Sequence, residues 1–175
     1  MRMMLVLLLL LARPVFASNE ADGILGVPWG ATQEVLRAAL QQAGNTVRCD
    51  APQICKLARA SFGPVPVNIT YLFPEDGKFE MAILRFDPAD YKKLVAVFVD
   101  RYGDPASARR EQIHLSGCAA ETITILEWWG ERVVMDLRQF ESKNEGRAMI
   151  MLKALRDREA ADSRPEKKDD PHRNP

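Results

Sequence analysis

His114 and Cys118 are the one base and nucleophile that fall close together in this chain. The other histidine, His172, sits in a charged terminal run, and the other cysteines are Cys49 and Cys55. Along a strand four residues span about 13 Å, so His114 and Cys118 meet only if the chain turns at Ser116-Gly117. A structural histidine is the better reading, with a Cys/His nucleophile pair as the alternative. Metal binding needs more donors than these two, unless Cys49 or Cys55 joins them, so no metal site is expected. No cofactor is expected either: the chain contains no phosphate loop and no dinucleotide fingerprint. It also lacks Gly-x-Ser-x-Gly and His-Glu-x-x-His. The carboxylates are scattered. Glu127, Glu131 and Asp136 flank one hairpin pattern, Glu75, Asp76 and Glu80 flank another, and no acid–base pair stands out. No catalytic residue is assigned.

Trp128-Trp129 is more informative for binding. Neighbouring residues of a strand point to opposite faces, so one tryptophan enters a core and the other faces away. If Ile123, Ile125, Val133, Met135 and Leu137 form a helix-covered face, Trp129 goes with them. Leu126, Trp128, Val134, Met149 and Met151 then share the opposite face. An open face of Trp, Leu and Met is a docking surface for a partner protein or peptide. The competing readings are a face covered by the tail, by a loop or by a second copy in a homodimer, or a register displaced by one residue.

The elements that position these residues begin after an amino-terminal stretch. Met1-Arg2-Met3-Met4 leads into Leu5-Val6 and Leu7 to Leu11, and Val15-Phe16-Ala17 precedes Ser18. This pattern predicts a secretory signal peptide over residues 1–17. The apolar run is shorter than the roughly 20 residues that cross a bilayer. Without residues 1–17, Arg2 and Arg13 are lost, and 22 Lys+Arg face 24 Asp+Glu. That balance gives nucleic acid no bulk attraction. Export implies an oxidising compartment and a disulfide, with Cys49–Cys55 the expected pair and Cys55–Cys118 its competitor.

Thr32 is an N-cap for a helix over residues 32–43, with Glu34 in its first turn and Gly44 as its stop. Val35, Leu36, Ala39, Leu40 and Ala43 make its apolar face. Asn45 to Pro52 reads as a turn region. Strands are expected at 54–62, 65–73 and 78–86, the last two joined by Pro74-Glu-Asp-Gly77. Asp87-Pro88 opens a second helix with the stripe Tyr91, Leu94, Val95, Phe98, Val99 and Tyr102, closed by Gly103. Strands follow at 108–115, 121–129, 132–140 and 147–155, with a helix as the alternative for the last. Residues 156–175 carry mixed charge without an apolar face and are expected to be disordered.

The order helix, strands, helix, strands predicts an α+β fold. Two tandem α-β-β-β units, at about 26–86 and 87–155, form one mainly antiparallel sheet in a single domain over 18–155. Both helices are expected on one face. Trp29-Gly30-Ala31-Thr32-Gln33-Glu34-Val35 resembles the Trp-Gly-x-Ser/Thr-x-Glu-Val opening of small exported bacterial proteins. Tyr102-Gly103-Asp104-Pro105 is similar to the Tyr-Gly-x-Pro that accompanies it. The tandem layout is similar to the beta-lactamase-inhibitor-protein-like fold group, which includes secreted inhibitors and outer-membrane assembly lipoproteins. The resemblance implies binding instead of catalysis. No Cys follows the apolar run, so the lipid anchor of the assembly lipoproteins is not implied, and no functional residue is carried over. The reading is a periplasmic or secreted envelope binding protein with no membrane-spanning segment after signal cleavage. A small secreted hydrolase and a carrier of an apolar ligand are the alternatives.

Overall fold

A computed structural model describes residues 20–74, 76–113, 120–141 and 145–163. The expected signal segment, the Glu75 turn residue, His114, Cys118 and residues 164–175 lie outside these. The described chain is α+β, with three helices and an eight-stranded antiparallel sheet. None of its helices is long and apolar enough to cross a membrane.

The chain starts with a two-stranded ribbon, β1 (Gly23–Ile24) and β2 (Val27–Pro28). Trp29 follows, and its Nε1 donates to the Ala21 carbonyl at 2.6 Å. Its ring stacks on Phe79 with centroids 4.7 Å apart. Gly30, at φ 79°, donates to the Phe79 carbonyl, and the Phe79 N–H donates to the Ala31 carbonyl. The Trp-Gly stretch is thus sewn to a residue about fifty positions away. Phe79 is the hub of an aromatic group that also includes Tyr71 and Phe73. Helix α1 (Gln33–Gln42) then begins, with the Thr32 hydroxyl accepting from the Val35 N–H. Leu36 and Leu40 are its buried anchors, whereas Val35, expected on the apolar face, is exposed.

The large sheet has the order β3-β4-β5-β6-β10-β9-β8-β7. Its strands are β3 (Val47–Ala51), β4 (Ile54–Phe62), β5 (Val65–Leu72), β6 (Met81–Phe86), β7 (Ser107–Ile113), β8 (Glu121–Trp129), β9 (Val133–Phe140) and β10 (Gly146–Leu152). Helix α2 (Tyr91–Tyr102) separates the first four from the last four. The two groups meet where β10 pairs β6, and Gly146 lies across from Phe86. A Cβ on Gly146 would stand 2.2 Å from the Phe86 ring, so only glycine fits this junction. The outermost strands are β3 and β7. Strand β7 is lined with Arg109, Arg110 and Glu111, charges that discourage edge-to-edge pairing.

Two expectations are corrected. Residues 47–51 form β3 instead of a turn, so four strands follow α1, not three. The signal was masked because β3 is only five residues long, buries none of them fully, and lies between Gly44-Asn45 and Pro52, which read as turn residues. It is held by β4 and by the Cys49–Cys55 disulfide, which sits at a bulge where the register shifts between Arg48 and Ala51. Reducing that bond is expected to lower stability by about 2 kcal/mol, the chain-entropy value for so small a loop. Urea midpoints with and without dithiothreitol check it. The second correction is the tail. Residues 153–162 are helix α3 (Lys153–Asp162), where strand and then disorder were expected. Its ten residues are too few to hold a helix alone in water. A single buried leucine, Leu155, fixes it to the sheet.

Helix α2 follows a 3-10 turn at Pro88–Asp90, capped by the Asp87 carboxylate accepting from the Ala89 N–H at 2.9 Å. Leu94 and Phe98 are its buried residues. Phe98 lies 5.6 Å from Phe62 on β4 and 5.2 Å from Trp128 on β8, ring centre to ring centre.

Candidate functional site

The β8–β9 turn decides which face each tryptophan takes. Trp129 pairs with Val134 and Trp128 with Met135, leaving four residues, 130–133, between the first paired positions. Across an even-length turn, an even-numbered residue of β8 shares its face with an odd-numbered residue of β9. The expected grouping assumed the other parity. Trp128 and Leu126 therefore lie on the face of Met135, Leu137 and Ile150, and belong to the main core. Trp128 is 3% exposed, and its Nε1 donates to the Gly103 carbonyl at the end of α2, at 2.8 Å. Neither Trp128 nor Leu126 belongs to an open face. Ile123, Ile125 and Trp129 take the other face.

Val134, Met149 and Met151 do lie together on that other face. Val134 and Met151 are buried with Met81 and with Leu155 of α3. Met149, Ile83 and Leu72 pack around this small cluster and remain half-buried. Trp129 is 62% exposed at the margin, next to Val134. Arg156 of α3 lies over its ring, 5.5 Å from the centroid. Arg158 pairs with the buried Glu80. The cover is therefore a short helix with one apolar anchor and two arginine contacts. Leu72, Met81, Ile83 and Leu155 were not expected at the docking face, and Trp129 was expected on the helix-covered one. Turn parity would have found Trp129, and the Leu152/Leu155 spacing hints at α3.

Beyond the methionines the same face becomes charged. Arg138 grips the Asp136 carboxylate with Nε and an Nη, both at 2.9 Å. Arg109 pairs with Glu127 and Glu111. Burial outweighs the Arg138 contacts and raises the Asp136 carboxyl above its ordinary value of 3.8. Just above that value the folded chain keeps a proton that the unfolded chain has released. This group's contribution to stability therefore falls as pH rises through that window, and Asp136→Asn is expected to flatten the slope. Urea unfolding at a series of pH values rising from the ordinary carboxylate range, for the parent and for Asp136→Asn, checks it.

These partners leave little for acid–base catalysis. Glu127, Asp136 and Glu80 are each engaged by an arginine. Asp76 accepts from the Lys78 N–H. Among the described residues no group of three His, Cys, Asp or Glu side chains could hold a metal. A cleft on the Trp128 side, lined by Glu20, Tyr102, Asp104 and Gly130, measures about 140 Å³. That is smaller than the roughly 300–1,000 Å³ of small-molecule sites, which weighs against a carrier of apolar ligands there. No protein-family model, curated protein or solved structure matches the chain.

Proposed function

We propose that the protein is an exported binding or accessory module of the cell envelope, and that it docks a partner protein on the sheet face bearing Trp129. The observation that carries this reading is the exposure of Trp129 beside a partly covered strip of Leu72, Ile83 and Met149. Tryptophan and methionine are favoured at interfaces because they bury much area and adapt to different shapes. Helix α3 indicates which occupant suits the strip. It lays one leucine over Met81, Val134 and Met151. The occupant we infer is a short amphipathic helix of an envelope protein, placing apolar side chains beside α3 or in its place.

The disulfide and the amino-terminal apolar run favour an oxidising, extracytoplasmic location. We read the scaffold as two tandem helix-plus-meander units with both helices against one face. The shared order of elements supports this, as does one buried cluster holding Leu36, Leu40, Leu94 and Phe98. The resemblance to the beta-lactamase-inhibitor-protein-like group points to binding in the same way.

The test is a pair of substitutions on the strip. Trp129→Ala and Met149→Asp are expected to reduce in-cell crosslinking to the partner at least fivefold. The unfolding free energy of Trp129→Ala in urea should stay within about 0.5 kcal/mol of the parent, as for other surface changes. Unchanged crosslinking would sink the reading. A crosslink only to a second copy of the chain would make this face a homodimer interface instead.

A further inference from the structure

Helix α3 carries its charges the wrong way round. Its first turn holds Lys153 and no acid, and its last turn holds Glu159 and Asp162 and no base. The helix dipole favours the opposite order, acids at the start and bases at the end. Leu152, at the N-cap, offers no side-chain acceptor to the first free N–H groups. The far end is closed by the Ser163 hydroxyl, which donates to the Glu159 carbonyl at 2.7 Å. A helix this short is unstable by itself in water, so α3 is helical because it is docked.

The docking is narrow. The root is fixed where the Lys153 N–H donates to the Arg132 carbonyl at 2.7 Å. Beyond the root, Leu155 is buried with Met81, Val134 and Met151, the Arg156 guanidinium lies over the Trp129 ring, and Arg158 pairs with Glu80. Every residue from Asp157 to Ser163 is exposed. A groove of about 410 Å³ runs between this half of the helix and the β5–β6 connection, lined by Pro74, Asp76, Arg158 and Asp162 among others. The helix is thus hinged at Lys153 and held by one apolar anchor and two cations. Those cations answer features of the strip itself. Glu80 is buried under the cover, and a buried carboxylate without a partner is costly. The Trp129 ring face also attracts a cation. Whatever covers the strip must therefore bring positive charge.

We propose that α3 is a displaceable strap that holds the docking strip shut, and that the helix which displaces it is basic, with an apolar anchor followed one and three residues later by cations for the Trp129 ring and the Glu80 carboxylate. The inference rests on the reading of this face as a docking strip, and adds what opens the strip and which charge it selects. A competing helix gains the strip only to the extent that it binds there better than α3 does.

The probe is a fluorescent, hydrocarbon-stapled helix with the sequence of residues 153–163, titrated into the whole protein. Leu155→Asp and Arg158→Glu, made separately in the protein, undock α3 and leave Glu80 and Trp129 in place. Both variants are expected to keep the sheet's circular dichroism, because the main core lies on the other face, and to bind the probe about tenfold or more tighter than the parent does. A probe with glutamate in place of both arginines should bind about tenfold or more weakly. Hydrogen exchange needs no probe: in the parent, amides 157–162 should exchange well before those of β9 and β10. Equal affinity for parent and undocked variants, exchange of 157–162 only together with the sheet, or indifference to the probe's charge would overturn the proposal. Dimers of the undocked variants that exclude the probe would give the strip to a second copy and overturn it as well. Probe binding as expected, with no partner crosslinked in cells, would remove the envelope partner and leave the strap. A cellular crosslink that neither undocking variant strengthens would remove the strap and leave the partner.

Discussion

Trp128→Ala is expected to cost roughly 3–5 kcal/mol, the range for emptying a large aromatic site in a core. The side chain is almost fully buried, and its ring lies against Phe98 of α2. Its Nε1 also satisfies the Gly103 carbonyl where α2 ends, so the substitution removes a helix-terminal hydrogen bond along with the packing. A domain of ordinary stability has about 5–15 kcal/mol in total, so this variant sits near the edge of folding. Urea unfolding followed by circular dichroism measures the loss. Trp129→Ala, one residue along, should lie close to the parent. The contrast between neighbours distinguishes the observed register from its one-residue alternative, which would exchange their roles.

Phe79→Ala is expected to be comparably severe, again roughly 3–5 kcal/mol. Phe79 is fully buried, and its ring meets Trp29, Tyr71 and Phe73 within about one ring width. Its backbone N–H and carbonyl bind Ala31 and Gly30. The loss would therefore also loosen the Trp29-Gly30 stretch and the start of α1. The sign that this coupling is real is non-additivity: Trp29→Ala should cost much less in a Phe79→Ala background than alone. Equal costs in both backgrounds would show the two rings acting independently.

Most elements were legible because local rules agree with burial in this chain. Thr32 and Asp87 cap their helical segments as their types suggest, Gly103 ends α2, and the alternation of 65–72 is the alternation of β5. The short Cys49–Cys55 pairing also followed from spacing and compartment. What stayed hidden depended on long-range partners. Strand β3 borrows its order from β4 and the disulfide, and α3 borrows its order from Leu155 on the sheet. The candidate site failed at one specific step. Trp128 and Trp129 look equivalent in sequence, and the number of residues in the 130–133 turn chooses between them. The grouping of Val134 with Met149 and Met151 does not pass through the 130–133 turn, and the β9–β10 register places the three on one face.

The most direct test of the docking account places a photo-reactive benzoylphenylalanine at position 129, and in a second variant at the exposed Val35 of α1. Both variants are irradiated in intact cells. The account predicts a discrete crosslinked partner from position 129 that is lost when Met149→Asp is added, with no such product from position 35. Equal products from both positions, or none from position 129, would contradict it.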